Sequence, residues 1–223
     1  MVKVHTGLPS HSSDMPLTAR GRVDGRSARK VETRRKIVQA ASELFAEQGY
    51  TGTSMEQIAE TAGVSKGTIF YNYKNKADLF EQLIKEAAQT IADDVQAARE
   101  GRRGWDALSE AVWRVLRAAD AAPAPAQVLV TELFRLQRPW SKCLADARDV
   151  LMKPLLEIMA ELAEDRAAAK GSRLLPAEKV SNVTMPLLGA LVVATLDRRA
   201  YNPEMPLETV HEVLTTAISG LRV

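Results

Sequence analysis

The sequence is poor in the residues that build disulfide bonds, metal sites and membrane spans. Its single cysteine, Cys143, excludes an intramolecular disulfide and a multi-thiolate metal site, and we interpret it as a small buried hydrophobe. The three histidines are scattered without metal-ligand spacing. No apolar run approaches the ~20 residues of a membrane-spanning helix, and the first residues lack the apolar segment of a secretory signal. We therefore expect a cytoplasmic protein with no metal, no cofactor and no membrane partner.

The sequence also lacks the residue sets that carry catalysis. It holds no recognisable Ser-His-Asp or Cys-His arrangement and no glycine-rich phosphate loop. Its composition, 46% hydrophobic and 26% charged, is that of an ordinary globular protein, although aromatic residues make up only 5%. We therefore expect no enzyme activity; an enzyme that uses a helical C-terminal domain is the alternative, and any measured turnover would favour it.

The small net charge of +2 conceals an uneven distribution along the chain. Residues 1–36 carry nine Lys or Arg against three Asp or Glu, which leaves the other 187 residues with a net charge of −4. A basic segment ahead of an acidic body is typical of contact with a polyanion, and nucleic acid is the usual one. A solubilising tail is the alternative that charge alone leaves open.

Apolar residues recur at helical spacing along most of the chain. Between Thr33 and Gly49 they follow the i, i+3, i+4 pattern of an amphipathic helix, and comparable stripes continue to the C-terminus. The segment "APAPA" (122–126) predicts a break between two helices, and Pro154 predicts a kink or a split in a long one. Because no segment alternates in the manner of a strand, the sequence predicts an all-α protein of about nine helices.

One stretch, "TSMEQIAETAGVSKGTIFYNYKNKADLF" (53–80), predicts a helix-turn-helix. Two short helices flank the turn "AGV", in which Gly63 suits a left-handed conformation; Thr53 or Ser54 can cap the first helix and Ser65 the second. Ile58, Val64 and Ile69 can then be buried between the two helices and the helix before them. Polar and aromatic side chains are left on the outer face of the second helix.

The outer face of that second helix suits the major groove of DNA. It is short and polar, and a threonine such as Thr68 can reach a base edge or a thymine methyl group. Ser54 and the first turn of its helix offer hydroxyl and N–H donors to a phosphate, while Lys76 adds a positive charge nearby. The motif therefore predicts binding to double-stranded DNA; a helix pair packed in a bundle with an incidental polar face is the alternative.

The residues from about Arg34 to Ile84, which include "LFAEQGY", "TS" and "IAETAGVSKGTIFYNYKNKADL", resemble the DNA-binding domain of the TetR family of transcriptional regulators. In two positions the chain departs from the usual family pattern: Phe70 lacks a hydroxyl that family members commonly give to a phosphate, and Tyr73 stands where a buried Phe is usual. The resemblance implies a three-helix head and assigns the DNA-facing positions to Thr53, Ser54, Ser65, Lys66, Gly67, Thr68, Tyr71, Asn72 and Lys76.

The resemblance further implies that the rest of the chain forms a helical domain that dimerises and often holds a small effector. Broad apolar bands in the last two helices support dimerisation. A two-fold dimer would need a nearly palindromic operator. Completion of each monomer's own core is the alternative for these bands, and both interpretations can hold in part. We predict that the interface includes Leu188, Val192, Leu196, Leu214 and Ile218.

Bulky residues of the second domain are candidates for the lining of an apolar effector pocket, because methionines and aromatics suit adaptable apolar cavities. Ordinary core packing is the alternative for all of them. No acid or histidine stands out as a partner for a charged ligand, so the effector is expected to be apolar. The candidates are Trp113, Phe134, Met152, Met159 and Met185.

The sequence thus predicts a basic arm at 1–30 that we expect to be disordered, a DNA-binding domain at 31–80 and an effector-binding and dimerisation domain at 81–223. The predicted function is that of a ligand-responsive repressor that binds a palindromic operator as a homodimer. Arm residues such as Arg26 and Arg29 could follow the DNA backbone or enter the minor groove, as could Lys30. A nonspecific DNA-packaging protein is the alternative, and it would need a more basic body.

Overall fold

A computed structural model describes residues 25–133, 140–170 and 177–219 of the chain. These residues form nine α-helices and no strand, which confirms the predicted all-α fold. In chain order the helices are α1 (Gly25–Gly52), α2 (Met55–Thr61), α3 (Lys66–Asn72), α4 (Lys76–Ala98), α5 (Gly104–Ala121), α6 (Pro123–Leu133), α7 (Ser141–Lys170), α8 (Ala177–Tyr201) and α9 (Leu207–Ala217).

The first helix is longer than the apolar pattern predicts. α1 begins at Gly25, so Arg29 and Lys30, which the sequence placed in a disordered arm, lie on its exposed first turns. These turns were missed because they carry no buried residue and hence no apolar stripe. At the other end Gly49 takes a φ of 72° and kinks the helix, at the position where the sequence predicts its end.

Local side-chain contacts fix the helix-turn-helix formed by α2 and α3. Ser54 and Gln57 make a reciprocal capping box at the start of α2. Gly63 holds the turn with a φ of 65°. Ile58 and Ile69 are fully buried, so the two helices share one core with α1 and α4. The prediction of this motif from the sequence is confirmed.

The two predictions based on proline have different outcomes. The predicted break between two helices is present at Ala122, but it is shorter than expected, because Pro123 already begins α6 at the first helical position, where its missing N–H is not needed. Pro154 was expected to kink or split a helix, yet α7 has one continuous span of 30 residues around it. Pro154 is buried there, between the core residues Leu151 and Leu155, so tertiary packing outweighs the hydrogen bond that it cannot make.

The helices after α3 form a single bundle around α4. α7 and α5 pack along α4, and α8 packs against both of them. Arg99, at the end of α4, forms ion pairs with Glu157 and Glu161 of α7. The predicted domain boundary at 80/81 falls inside α4, so this helix belongs to both parts and connects the helix-turn-helix rigidly to the bundle.

A second group of ion pairs fixes the end of α5 to the end of α8. The Asp120 carboxylate accepts hydrogen bonds from Arg198 and Arg199, and Arg198 also donates to the Met205 carbonyl at 2.8 Å. Burial alone would raise the pKa of Asp120, but the hydrogen bonds from Arg199 and Arg198 outweigh it and hold this pKa below its ordinary value. The corner between α5 and α6 is therefore held firmly on the α8 side.

An aromatic cluster joins the three-helix head to the bundle. Phe45 and Tyr50 of α1 meet Phe80 of α4, with ring centroids 5.4 Å and 5.2 Å from that ring. Trp140, just before α7, packs on the same cluster, 4.3 Å from the Tyr50 centroid and 4.7 Å from that of Phe80. The head and the bundle therefore share one continuous apolar core.

Within the described ranges, no helix is both long enough and apolar enough to cross a membrane. The same residues contain no group of three or more His, Cys, Asp or Glu side chains arranged to hold a metal ion.

Candidate nucleic-acid interface

The outer face of α3 is exposed to solvent. The Tyr71 side chain is 80% exposed, an unusual state for a large aromatic residue. Lys66 and Gly67 are exposed beside it. The space around Gly67 is open: a Cβ added there would have only the Ser65 hydroxyl near it, at 3.8 Å. A ligand can therefore approach the backbone closely at this position. The structure thus brings these predicted residues together on one surface.

Hydrogen bonds order the remaining polar residues of this face. The Ser65 hydroxyl accepts from the Thr68 amide at 3.1 Å and lies 2.8 Å from the Thr68 hydroxyl. Asn72 donates from its side-chain amide to the Thr68 carbonyl at 2.8 Å. Because each side chain is already held in one rotamer, little conformational entropy remains to be lost when the face meets a ligand.

An ion pair places a positive charge at the edge of the face. Lys66 lies 2.7 Å from the Glu56 carboxylate of α2, with both side chains exposed. The hydrogen bond from Lys66 lowers the pKa of Glu56, with a smaller contribution from its own backbone amide. The Lys66 ammonium also lies 6.0 Å from the Phe70 ring centroid. An exposed pair of this kind is weak, so the lysine can exchange its partner for a phosphate.

Thr53 does not belong to the exposed face. Its side chain is 2% exposed, and its hydroxyl donates one bifurcated hydrogen bond to the carbonyls of Gly49, at 3.0 Å, and Leu44, at 3.2 Å. This bond ties Thr53 to the last turns of α1. The prediction that the Thr53 side chain faces DNA is therefore corrected: it closes the end of α1. Ser54, the next residue, remains partly exposed.

Lys76 also has an internal role. Its ammonium donates to the carbonyls of Tyr50, at 2.7 Å, and Thr53, at 2.6 Å, and lies 4.3 Å from the Tyr50 ring centroid. The sequence pattern predicted a DNA-facing charge, but the ammonium instead ties the start of α4 to the turn between α1 and α2. This arrangement fixes α2 relative to the body of the head.

Lys76→Met is expected to lower the free energy of unfolding by about 2–3 kcal/mol, because two carbonyls would lose a charged donor. The thioether side chain keeps the apolar stem over Tyr50. Lys85→Met, on the same helix but exposed and 3.7 Å from Glu81, serves as the control and should change stability by less than about 1 kcal/mol. Urea unfolding of both variants measures the difference, and equal effects would contradict this role for Lys76.

The two departures from the family pattern have different outcomes. Tyr73 is buried, as predicted, with its ring 5.5 Å from the Arg34 guanidinium, and burial raises the pKa of its hydroxyl. Phe70, which the sequence left out of the site, is exposed next to Tyr71. The Phe70 ring is therefore not part of the core. Its exposure could have been predicted, because in a helix the residue next to the buried Ile69 points away from the core.

The residues predicted to form the dimer interface are more buried in the single chain than expected. Leu188 and Val192 of α8 are buried in the core of the single chain, so their side chains cannot meet a partner. Leu196, Leu214 and Ile218 are half-buried and pack against the same core. The prediction is wrong for Leu188 and Val192 because the apolar band on α8 is wider than the face that the chain buries. The band alone therefore does not distinguish core residues from interface residues.

Apolar side chains are nevertheless exposed on the other face of α8 and on α9. Val193 is 54% exposed and Val213 is 61% exposed. Pro186, Ala190 and Ala217 are exposed on the same two helices. These residues, rather than Leu188 and Val192, are the ones available to a partner.

The predicted effector residues are mostly core. Met152 and Met159 are buried, and Met185 is half-buried against the core, which agrees with the alternative of ordinary packing. Trp113 lines a polar depression of about 510 Å³ together with Glu110 and its neighbours on α5, and its ring meets the His211 ring edge-on at 5.6 Å. Phe134 lies outside the described residues.

The fold and the exposed face of α3 define an α-helical, helix-turn-helix protein of the kind that enters the major groove. Residues 37–83 match the family model described as bacterial regulatory proteins, tetR family. Residues 37–83 therefore form a DNA-binding domain of the TetR family, and the resemblance noted in the sequence is confirmed for this part of the chain.

Curated relatives match from about a quarter to half of the chain. The regulator AcrR of Shigella flexneri is 39% identical over 62 residues, which are 28% of this chain and 29% of AcrR. The regulator SrpR of Pseudomonas putida is 26% identical over 111 residues, or 50% of this chain and 49% of SrpR. Both alignments thus span less than two thirds of these relatives' own lengths.

Solved structures share the fold over most of the chain. A putative fatty acid metabolism regulator of Clostridium perfringens superposes with a TM-score of 0.67 at 20% identity, covering 84% of this chain and 99% of its own. FadR of Bacillus subtilis, solved in complex with stearoyl-CoA, gives a TM-score of 0.64 at 20% identity, with coverages of 81% and 94%. At these identities the likeness extends to the fold alone.

Proposed function

We propose that this protein is a sequence-specific transcriptional regulator that binds a nearly palindromic operator as a homodimer and is released from it by a small-molecule effector. The observation that carries the proposal is the exposed face of α3, where Tyr71, Lys66 and Thr68 lie together on the second helix of a helix-turn-helix. In this arrangement Thr68 and Tyr71 contact bases or the sugar-phosphate backbone, and Lys66 leaves Glu56 for a phosphate.

The basic start of α1 supplies a second, sequence-independent contribution. Arg29 and Lys30 are exposed on a helix that leads directly into the head. Cations in this position add affinity through counterion release, which makes binding depend on salt without selecting a sequence. The side chains of α3 therefore determine which DNA sequence is bound, and those of α1 contribute part of the binding affinity.

The exposed apolar residues of α8 and α9 support the homodimer. An isolated pair of large exposed aliphatic side chains is unremarkable, but Val193 and Val213 lie beside the small residues Ala190 and Ala217 on helices that can approach a copy closely. Two such helices from each chain would form a four-helix interface with two-fold symmetry. The two heads would then meet two half-sites of one operator.

Release by an effector follows from the way the head is connected to the bundle. The aromatic cluster and α4 tie the orientation of the head to that of the bundle. An effector that prefers one orientation shifts the population of both heads, and hence their separation on DNA. FadR of Bacillus subtilis was solved with stearoyl-CoA; for this chain we propose only a small, largely apolar effector.

Tyr71→Ala is expected to lower affinity for the selected operator by about 5- to 150-fold, the loss of one good base or backbone contact, with no change in the melting temperature. Operator is first selected from a random pool of DNA duplexes at two salt concentrations, and binding is measured by fluorescence anisotropy. Tyr201→Ala is the matched control, because this tyrosine is 78% exposed on α8, away from the head.

Unchanged operator affinity in folded Tyr71→Ala would contradict the assignment of α3 as the reading helix. A pool that yields no consensus, with binding that vanishes as salt rises, would favour the nonspecific packaging alternative. A palindromic consensus that survives the higher salt concentration supports the dimeric regulator.

A further inference from the structure

A narrow apolar slot lies where the head meets the bundle. It has a volume of about 190 Å³ and is lined almost entirely by carbon, with Val38 of α1 on one side and Leu83, Ala87 and Ile91 of α4 on another. Ala122 and its neighbours at the corner between α5 and α6 form the third side. The slot is thus an open cleft lined by parts of both the head and the bundle.

A wider vestibule of about 710 Å³ lies beside the slot. Val38, Glu86, Ala122 and Pro125 line both spaces, so the two are adjacent. The vestibule is apolar over most of its wall, but unlike the slot it also carries several side chains of α1 that can donate or accept hydrogen bonds, among them Gln39. Together the two spaces match a molecule with an apolar end and a polar end.

The charges around the vestibule balance. Arg34 and Arg35 line it, as do Glu43 and Glu86. Several of these groups already have partners: Arg35 with Glu32 at 2.8 Å, and the Glu43 and Glu86 carboxylates with glutamine amides of their own helices at 3.2 Å and 2.8 Å. A charged head group therefore gains no net attraction here and would lose its hydration.

The dimensions of the slot limit the apolar end of the molecule. An apolar cavity of about 150 Å³ in a protein core stays dry and takes up benzene, so a slot of about 190 Å³ fits one aromatic ring with a small alkyl group. Water gains little there, because the walls offer almost no hydrogen-bonding partner. An apolar group of the right size is thus the occupant that the walls favour.

We propose that this slot and its vestibule form a binding site for small neutral amphipathic molecules, such as alkylphenols, with the ring in the slot and the hydroxyl in the vestibule. Of the effector residues predicted from the sequence, the four that the structure describes do not line this site. It lies outside the core of the bundle, at the junction that sets the orientation of the head.

Occupation of the site would act on the head directly. The α5–α6 corner is held on its far side by Asp120, through Arg198 and Arg199 of α8. On its near side the corner is joined to α1 more weakly, by the hydrogen bond from the Gln127 amide to the Ala46 carbonyl at 3.2 Å. A molecule between them therefore displaces α1 rather than the corner, and operator affinity falls, a consequence that rests on the proposed function.

The experiment uses three probes with the same ring: p-cresol, 4-methylbenzoate and 4-methylbenzylamine. Binding to the full-length protein is followed without DNA, through the methyl resonances of Val38, Leu83 and Ile91. We expect p-cresol to shift these signals and to bind at least 5-fold more tightly than either charged probe. Ala87→Leu, which fills the slot from α4, should weaken p-cresol binding at least 10-fold, whereas Ala97→Leu, at a half-buried site of the same helix, should not.

Absence of shifts at these methyl groups, or unchanged p-cresol affinity in Ala87→Leu, would overturn the proposed site, and tighter binding of a charged probe would overturn the neutral ligand class. If Ala87→Leu does not fold, Thr90→Leu narrows the same slot from an exposed position. In a second assay p-cresol should weaken operator binding of the wild-type protein about 5-fold or more. Failure of the protein to bind any operator without p-cresol would contradict the proposed function but leave the binding data intact.

Discussion

Val193→Asp is expected to turn the proposed homodimer into a monomer and to lower operator affinity by about 10³-fold or more, toward the level of nonspecific binding. The side chain is 54% exposed in the single chain, so an aspartate there costs the monomer little. In a two-fold interface the same substitution places two buried carboxylates near each other without partners. One head alone contacts too few base pairs to hold an operator, so loss of the dimer removes selective binding.

Sedimentation velocity measures the oligomeric state of this variant, and fluorescence anisotropy measures its affinity for the selected operator. Val150→Asp, at an exposed position of α7, is the matched control and should remain dimeric. Leu188→Asp should instead unfold the chain, because Leu188 is buried in the monomer. A folded, fully dimeric Val193→Asp protein would refute the assignment of this face of α8 to the interface.

Trp140→Ala is expected to lower the free energy of unfolding by about 3–5 kcal/mol, the cost of removing a fully packed aromatic side chain. Its ring touches Tyr50 of the head and Phe80 of α4 at the same time. The cavity left behind would separate the head from the bundle, so the head should also lose its fixed orientation. Urea unfolding monitored by circular dichroism measures the stability.

Trp105→Ala provides the comparison, because Trp105 is only half-buried on α5 and should cost less. Trp140→Phe should restore much of the lost stability, since it keeps an aromatic ring in the cluster. If Trp140→Ala costs less than about 1 kcal/mol, the cluster does not hold the head to the bundle.

The helix-turn-helix could be predicted from the sequence because its signals are local. Ser54, Gly63 and Ser65 each fix one backbone feature within three or four residues of themselves, and the structure has all three where the sequence placed them. The all-α class follows from apolar spacing in the same way. Local physical chemistry therefore accounts for most of the fold.

The correction at Lys76 concerns contacts between residues distant in sequence, because its ammonium reaches carbonyls 23 and 26 residues before it. The contact of Thr53 is shorter in range, because its hydroxyl turns back to Gly49, four residues before it. The residues next to Lys76 and Thr53 in the sequence do not predict either contact. Leu188 and Val192 were misplaced for a related reason: an apolar band shows that a helix is covered, but not whether its own chain or a copy covers it.

The burial of Cys143 makes this protein well suited to measurements of the distance between the two heads of the proposed dimer. Cys143 is the only cysteine in the sequence. Its thiol donates to the Glu81 carbonyl at 3.6 Å, and burial raises its pKa, so at neutral pH it reacts slowly. A cysteine introduced at the exposed Glu60 of α2 would therefore take a spin label selectively, without removal of the native residue. Pulsed electron resonance on the labelled dimer would then report the head-to-head separation directly, in solution, with and without DNA or p-cresol.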